Sequence, residues 1–173
     1  MIYEENHSFD NLYGLWGDVG GDHLDGLADR DAAHTTQISQ AGNAYQCLKQ
    51  LDVNLDTDAA GNTLSKVCNP ETVTFPDNST VSYTSHFPNA PFNIDQYIPN
   101  NMPSPEVLHR FYHEQQQIDG GKMDKFVLYN TTSHGMAMGY YHTMALPLAA
   151  EAGKYTLCDH FFHAAFGGSF LNH

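Results

Sequence analysis

Hydrophobic and polar positions change period several times along the chain, and each change predicts an element. The segment Ser104 to Ile118 has the clearest helical pattern, with Val107, Leu108, Phe111, Tyr112 and Ile118 recurring on one face. Ser104 can cap its start, Pro105 suits the first helical position, and Gly120-Gly121 ends it. Shorter helices are predicted over Ser8 to Tyr13 and over Met144 to Ala152, the second stopped by Gly153. Short apolar runs at Val73-Thr74-Phe75, Val81-Ser82-Tyr83, Phe126-Val127-Leu128-Tyr129 and Tyr155-Thr156-Leu157-Cys158 read as strands. Gly14 to Asp31 reads as loop and Gln37 to Leu51 as a weak helical or mixed segment. Strands alternating with helices favour an α/β fold, and no internal repeat is visible.

The pattern is abrupt at both ends. Met1-Ile2-Tyr3 reads as the tail of a buried strand with no leader ahead of it. Phe161 to His173 contains a Gly-Gly-Ser turn that opens a helix and stops after one turn. The expectation is a single partial domain over 1–173, a piece of a larger protein. Its middle, 52–103, is rich in Asn, Thr, Pro, Ser and Asp and forms a loop-rich excursion.

Composition narrows the picture. At 173 residues, 41% hydrophobic and 16% charged, the chain suits one ordinary globular domain. Lys plus Arg number 7 against 20 for Asp plus Glu, a formal charge of −13. Nucleic-acid binders and proteins held on anionic lipid need clustered cations, so neither partner is expected. No apolar run approaches the ~18 residues of a helical span, so no stable membrane insertion is expected. The 11 His outnumber Lys and Arg together, which suits divalent-metal or phosphate chemistry. Cys47, Cys68 and Cys158 contain no CxxC pair, which excludes the common structural zinc patterns. Cys47 and Cys68 could close a disulfide in an exported protein, or all the thiols could be buried and reduced.

Two short segments carry candidate chemistry. Glu5-Asn6 falls where a strand would stop, and open α/β sheets place ligands at the carboxyl ends of their strands. A carboxylate beside an amide supplies hard oxygen donors for a divalent cation, although by spacing alone such a pair is more often a solvated turn or helix cap. In Phe166-Gly167-Gly168-Ser169 the glycines let backbone N–H groups approach an oxyanion, and Ser169 is placed as a nucleophile toward a phosphoester. Gly-Gly-Ser is also a common turn.

Taken with their neighbours, these segments form a pattern. Glu5-Asn6-His7-Ser8-Phe9-Asp10-Asn11-Leu12-Tyr13-Gly14 resembles the opening signature of the bacterial acid phosphatase and phospholipase C phosphoesterase family. Asp119-Gly120-Gly121-Lys122-Met123-Asp124-Lys125-Phe126 and Met138-Gly139-Tyr140-Tyr141 resemble its middle blocks. Thr156 to Phe162, then Phe166-Gly167-Gly168-Ser169-Phe170-Leu171-Asn172-His173, is similar to its nucleophile block. The blocks occur in family order and span nearly the whole chain.

The resemblance implies an alkaline-phosphatase-like three-layer α/β sandwich, incomplete at both ends, and metal-dependent hydrolysis of a small phosphoester. By it, Glu5, Asn6 and Ser169 are ligands of a divalent cation of unspecified identity, and Ser169 is also the nucleophile of a phosphoserine intermediate. Asn172 and His86 are the implied phosphate-binding residues. The Gly167-Gly168-Ser169 context is closer to the acid phosphatase branch than to the Thr-bearing phospholipase C branch, whose diesterase activity stays as the alternative. Family members are commonly exported, so the whole protein is expected to be secreted or periplasmic. The family's remaining ligands, an Asp pair and further His, lie beyond the nucleophile block, and the isolated chain is therefore expected to have little or no activity. It would then be an incomplete fragment with weak metal or phosphate binding at most.

Other features have plainer readings. Asp52 to Asp58 is similar to a calcium loop but has Thr57 in place of the turn Gly, and reads better as an acidic surface loop. His109 and His113 fall one helical turn apart in the predicted helix and read as a solvated face. His134, His160 and His163 have no assigned role, and His160 and His163 are expected to pack near Ser169. Asn78-Ser79-Thr80 and Asn130-Thr131-Thr132 match glycosylation triplets, which arise readily by chance.

Overall fold

A computed structural model describes the chain apart from residues 1–5, 51–70, 75, 84–85, 163–164 and 173, and describes 71–74, 81–83 and 86 by backbone alone. Helix α1, Phe9–Leu12, starts where the sequence predicts, because the Ser8 hydroxyl accepts the Asn11 N–H at 3.1 Å. Helix α2, Ala32–Thr35, is capped in the same way by Asp31, which accepts the His34 N–H at 2.8 Å. Helix α3 is Phe111–Ile118 and ends at Asp119, whose φ of 46° begins a left-handed turn continued by Gly120 at 67° and Gly121 at 99°. Helix α4, Pro147–Ala152, has Pro at its first turn, and Gly153 closes it by donating to the Ala149 carbonyl at 3.0 Å.

Among the described residues the strands form three ladders of two strands each. Strand β1, Leu48–Lys49, lies antiparallel to β4, His86–Phe87, with Leu48 opposite Phe87. Strands β2, Glu71–Thr74, and β3, Thr80–Tyr83, form the expected hairpin with Val73 opposite Val81. Its turn is set by Asp77, whose carboxylate accepts the Ser79 N–H at 2.9 Å, and by Asn78 at φ 63°. Strand β5, Phe92–Asn93, runs parallel to β6, Gly139–Tyr140. The chain is mixed α/β.

The core gathers around these short ladders. Leu48, Phe87, Phe92, Ile94, Ile98, Val127 and the two tyrosines Tyr45 and Tyr141 are buried together, with Leu12, Met136 and Met138 packed against them. The rings of Phe87 and Phe92 stack at 4.3 Å, and Tyr97 presents its edge to Phe87 at 4.8 Å. Polar staples run through the same volume. Gln37 is fully buried, its amide donating to the Met123 carbonyl at 3.0 Å and accepting the Val127 N–H at 3.2 Å. Asn89 joins it by donating to the Gln37 and Tyr45 carbonyls at 2.8 and 2.9 Å.

Several predicted elements take other forms. The helix expected from Ser104 begins only at Phe111, capped by the backbone of Arg110, and 104–110 is a strap without regular secondary structure. The strap is held from afar: the Asn130 side-chain oxygen takes the Leu108 N–H at 3.1 Å, and Thr132 donates to the Glu106 carbonyl. His109 therefore lies outside the helix that carries His113, and the expected pairing on one face is absent. Phe126-Val127-Leu128-Tyr129 is a turn, with the Tyr129 N–H bonded to Lys125 at 3.1 Å. Tyr155 to Cys158 forms no strand. Gln37 to Leu51 contains no helix in its described part, which holds an Ile38–Ala44 bridge and β1. The Asp52 to Asp58 loop lies outside the described residues.

Candidate functional site

Two of the blocks that define the pattern, the opening one and Met138-Gly139-Tyr140-Tyr141, meet in space. Asn11, in the opening signature, donates from its side chain to the Gly139 carbonyl at 2.7 Å and accepts the Tyr141 N–H on its own carbonyl at 2.8 Å. Thr143 adds a bond from its hydroxyl to the Leu12 carbonyl. The His7 ring shares a hydrogen bond with the other end of the Asn11 amide at 2.5 Å. The segment that follows Asn6 is thus fixed to the Gly139-Tyr140-Tyr141 block, and a cleft between them is lined by His7, Leu12, Tyr141, Thr143 and Leu146.

A second junction joins the Gly/Asp-rich loop to the nucleophile block. The Asp25 N–H donates to the Asp159 carboxylate at 2.9 Å, and the Asp25 carboxylate lies 3.0 Å from Nε2 of His160. The Asp25 N–H is the main reason that the Asp159 carboxyl is held below its ordinary pKa. Asp10, on α1, keeps an exposed edge, yet desolvation raises its carboxyl above the ordinary value and the charge of Asp25 adds to the rise. Within the loop, His23 bridges Asp18 at 2.9 Å and Asp29 at 3.1 Å, and both bonds push the imidazole pKa upward. Gly14 and Gly26 let this loop close on α1: a Cβ on Gly26 would sit 2.6 Å from the Gly14 carbonyl oxygen.

The nucleophile block ends in a compact turn. Ser169 is half-buried and is the first residue of a 3₁₀ helix, Ser169–Asn172, entered through Gly167 at φ 126°. That dihedral is strained for any residue with a side chain, which explains the first glycine of the pair. Asn172 clamps the turn, accepting the Ala165 N–H and donating to the Ala165 carbonyl, each at 3.0 Å. Phe166 packs edge-on against Phe111 of α3 at 5.5 Å, which seats the turn on the start of that helix. Phe170 and Leu171 point outward and are exposed.

The predicted residues are placed as follows. Ser169 and Asn172 share one turn, and the Asn172 amide retains a second N–H beyond the one bonded to Ala165. Asn6 is exposed and holds a left-handed φ of 65°, a conformation Asn tolerates better than most residues. Glu5 and His163 lie outside the described residues, and for His86 the backbone alone is described, in β4. His160 is engaged with Asp25. Among the described residues no three His, Cys, Asp or Glu side chains converge to hold a metal. The fit to a cation therefore rests on the donor set: the amide oxygen of Asn6 and the hydroxyl of Ser169 are hard oxygen donors of the kind a hard divalent cation takes. Cys47 is disulfide-bonded and the exposed Cys158 is free, while Cys68, the expected partner, lies outside the described residues. Asn11 and Asp25 organise this region without having been legible as such, since a staple across distant segments leaves no local spacing signal.

The Phosphoesterase family model matches residues 1–173, and the chain belongs to that family. A comparison with curated proteins and one with solved structures find no match. Among the described residues no helix is long and apolar enough to cross a membrane.

Proposed function

We propose that this phosphoesterase is a metal-dependent hydrolase of small phosphoesters, of the acid phosphatase type, acting through a phosphoserine on Ser169. The observation that carries the reading is the Ser169 turn: a half-buried hydroxyl behind paired glycines, its loop closed by Asn172 on Ala165. The Ser169 Oγ forms a bond to phosphorus as the bond to the leaving alcohol breaks and the alcohol takes a proton. Water then attacks the phosphoserine and releases inorganic phosphate, restoring the hydroxyl. The second N–H of Asn172 and the ring of His86 orient the phosphoryl oxygens. A divalent cation held by Glu5, Asn6 and Ser169 would acidify the hydroxyl and neutralise phosphoryl charge.

The enclosing fold in this reading is the alkaline-phosphatase-like sandwich, and the whole protein is exported, in keeping with the disulfide at Cys47. The test is hydrolysis of 4-nitrophenyl phosphate and of its bis-ester by the whole protein that carries this chain, with added divalent cations, wild type beside Ser169→Ala and Asn6→Ala. Monoester turnover lost in Ser169→Ala, with phosphate trapped on Ser169 after acid quench, supports the reading. Preference for the bis-ester moves it to the phospholipase C type, and turnover surviving in Ser169→Ala overturns the mechanism.

A further inference from the structure

The Asp25 junction suggests a role in aligning the two parts of the site, an inference that rests on Ser169 being the nucleophile. We propose that Asp25 is a positioning residue, which latches the Gly/Asp-rich loop to the segment leading into Ser169. Three observations meet there. The Asp25 main chain donates to Asp159 at 2.9 Å and its carboxylate pairs with His160 at 3.0 Å, so one residue grips two consecutive positions of the nucleophile block. The same carboxylate lies close enough to Asp10 for the two like charges to repel, which places the latch beside α1, the helix that follows Asn6. The loop carrying Asp25 is itself braced by the Gly14–Leu27 main-chain bond at 2.7 Å and by His23 between Asp18 and Asp29.

Hydrogen exchange of the full chain, corrected for intrinsic rates, reads this directly. Asp25→Asn and Asp159→Ala are expected to speed exchange over 155–172 roughly tenfold while α3 is unchanged. In turnover of 4-nitrophenyl phosphate by the whole protein that carries this chain, Asp25→Asn lowers kcat with KM within about twofold, the pattern of an interaction that matters to the transition state and not to substrate binding. Unchanged exchange over 155–172 in both variants overturns the proposal, as does a loss of protection shared equally by α3. A Ser169→Ala protein that still turns over substrate overturns the nucleophile reading instead, and the exchange result judges the latch independently of it.

Discussion

The side chain of Asn11 reaches across 128 positions of sequence to donate to the carbonyl of Gly139 at 2.7 Å, and Tyr141 returns a bond to the Asn11 carbonyl at 2.8 Å. Gly139 is buried, and a Cβ there would lie 2.6 Å from Ile94 Cδ1, so the joint is both bonded and tightly packed. Asn11→Ala leaves that carbonyl without its partner and is expected to cost about 1–3 kcal/mol in chemical denaturation. Asn11→Asp sets a carboxylate oxygen against the carbonyl and is expected to cost more. Equal midpoints for Asn11→Asp and wild type would show that the joint adds nothing to stability.

Gln37 tests the buried staples. Gln37→Met keeps a similar length but orphans the Met123 carbonyl and the Val127 N–H, each about 1–3 kcal/mol when buried. The denaturation midpoint is expected to fall while the slope stays constant, since the surface exposed on unfolding is the same. A changed slope would mean that the substitution loosens the native core itself.

Asp10 gives a pH-dependent outcome. Its folded pKa is raised above 3.8, so its contribution to stability is fullest below that value and is lost as pH rises through the folded value. Asp10→Asn, neutral throughout, should match wild type in acid and melt higher near neutrality. Melting curves collected from about pH 4 to 7 check this, and a wild type that gains on Asp10→Asn as pH rises would contradict it.

Asn172 links stability to activity. Asn172→Ala opens both bonds to Ala165, and in the whole protein the freed Ser169 turn is expected to lower kcat roughly 10- to 100-fold, the scale of small misplacements of a reacting group. Asn172→Asp keeps the acceptor for the Ala165 N–H and should retain more activity than Asn172→Ala. Equal kcat in Asn172→Ala and wild type would separate the clamp from catalysis.

The elements legible in the sequence are those whose determinants are local. Ser8 caps α1 with its own hydroxyl, Pro147 and Gly153 bracket α4, and Asp77 with Asn78 turns the β2–β3 hairpin. The strap at 104–110 was hidden because Asn130 and Thr132 take its backbone groups from more than a helical turn away in sequence, overriding a good amphipathic pattern. Phe126–Tyr129 has the composition of a strand, but Gln37 occupies the Val127 N–H that a neighbouring strand would need. The Ser169 turn was legible through its glycines, whereas the Asp25 junction was not, because nothing near Asp25 in sequence points to Asp159 or His160.

Side-chain amides hold together much of what longer ladders hold elsewhere: Asn11, Gln37, Asn89, Gln117, Asn130 and Asn172 each bond to backbone in other segments or turns. An amide both donates and accepts, and its hydrolysis product only accepts. Spontaneous deamidation at any of these positions would therefore erase a donor and introduce a charge where the fold has prepared for neither. Burial shields Gln37 and Asn130 from the water that this chemistry needs. The exposed turns do not share that shelter, so chemical ageing of this protein should begin at its surface and reach the core only after local opening.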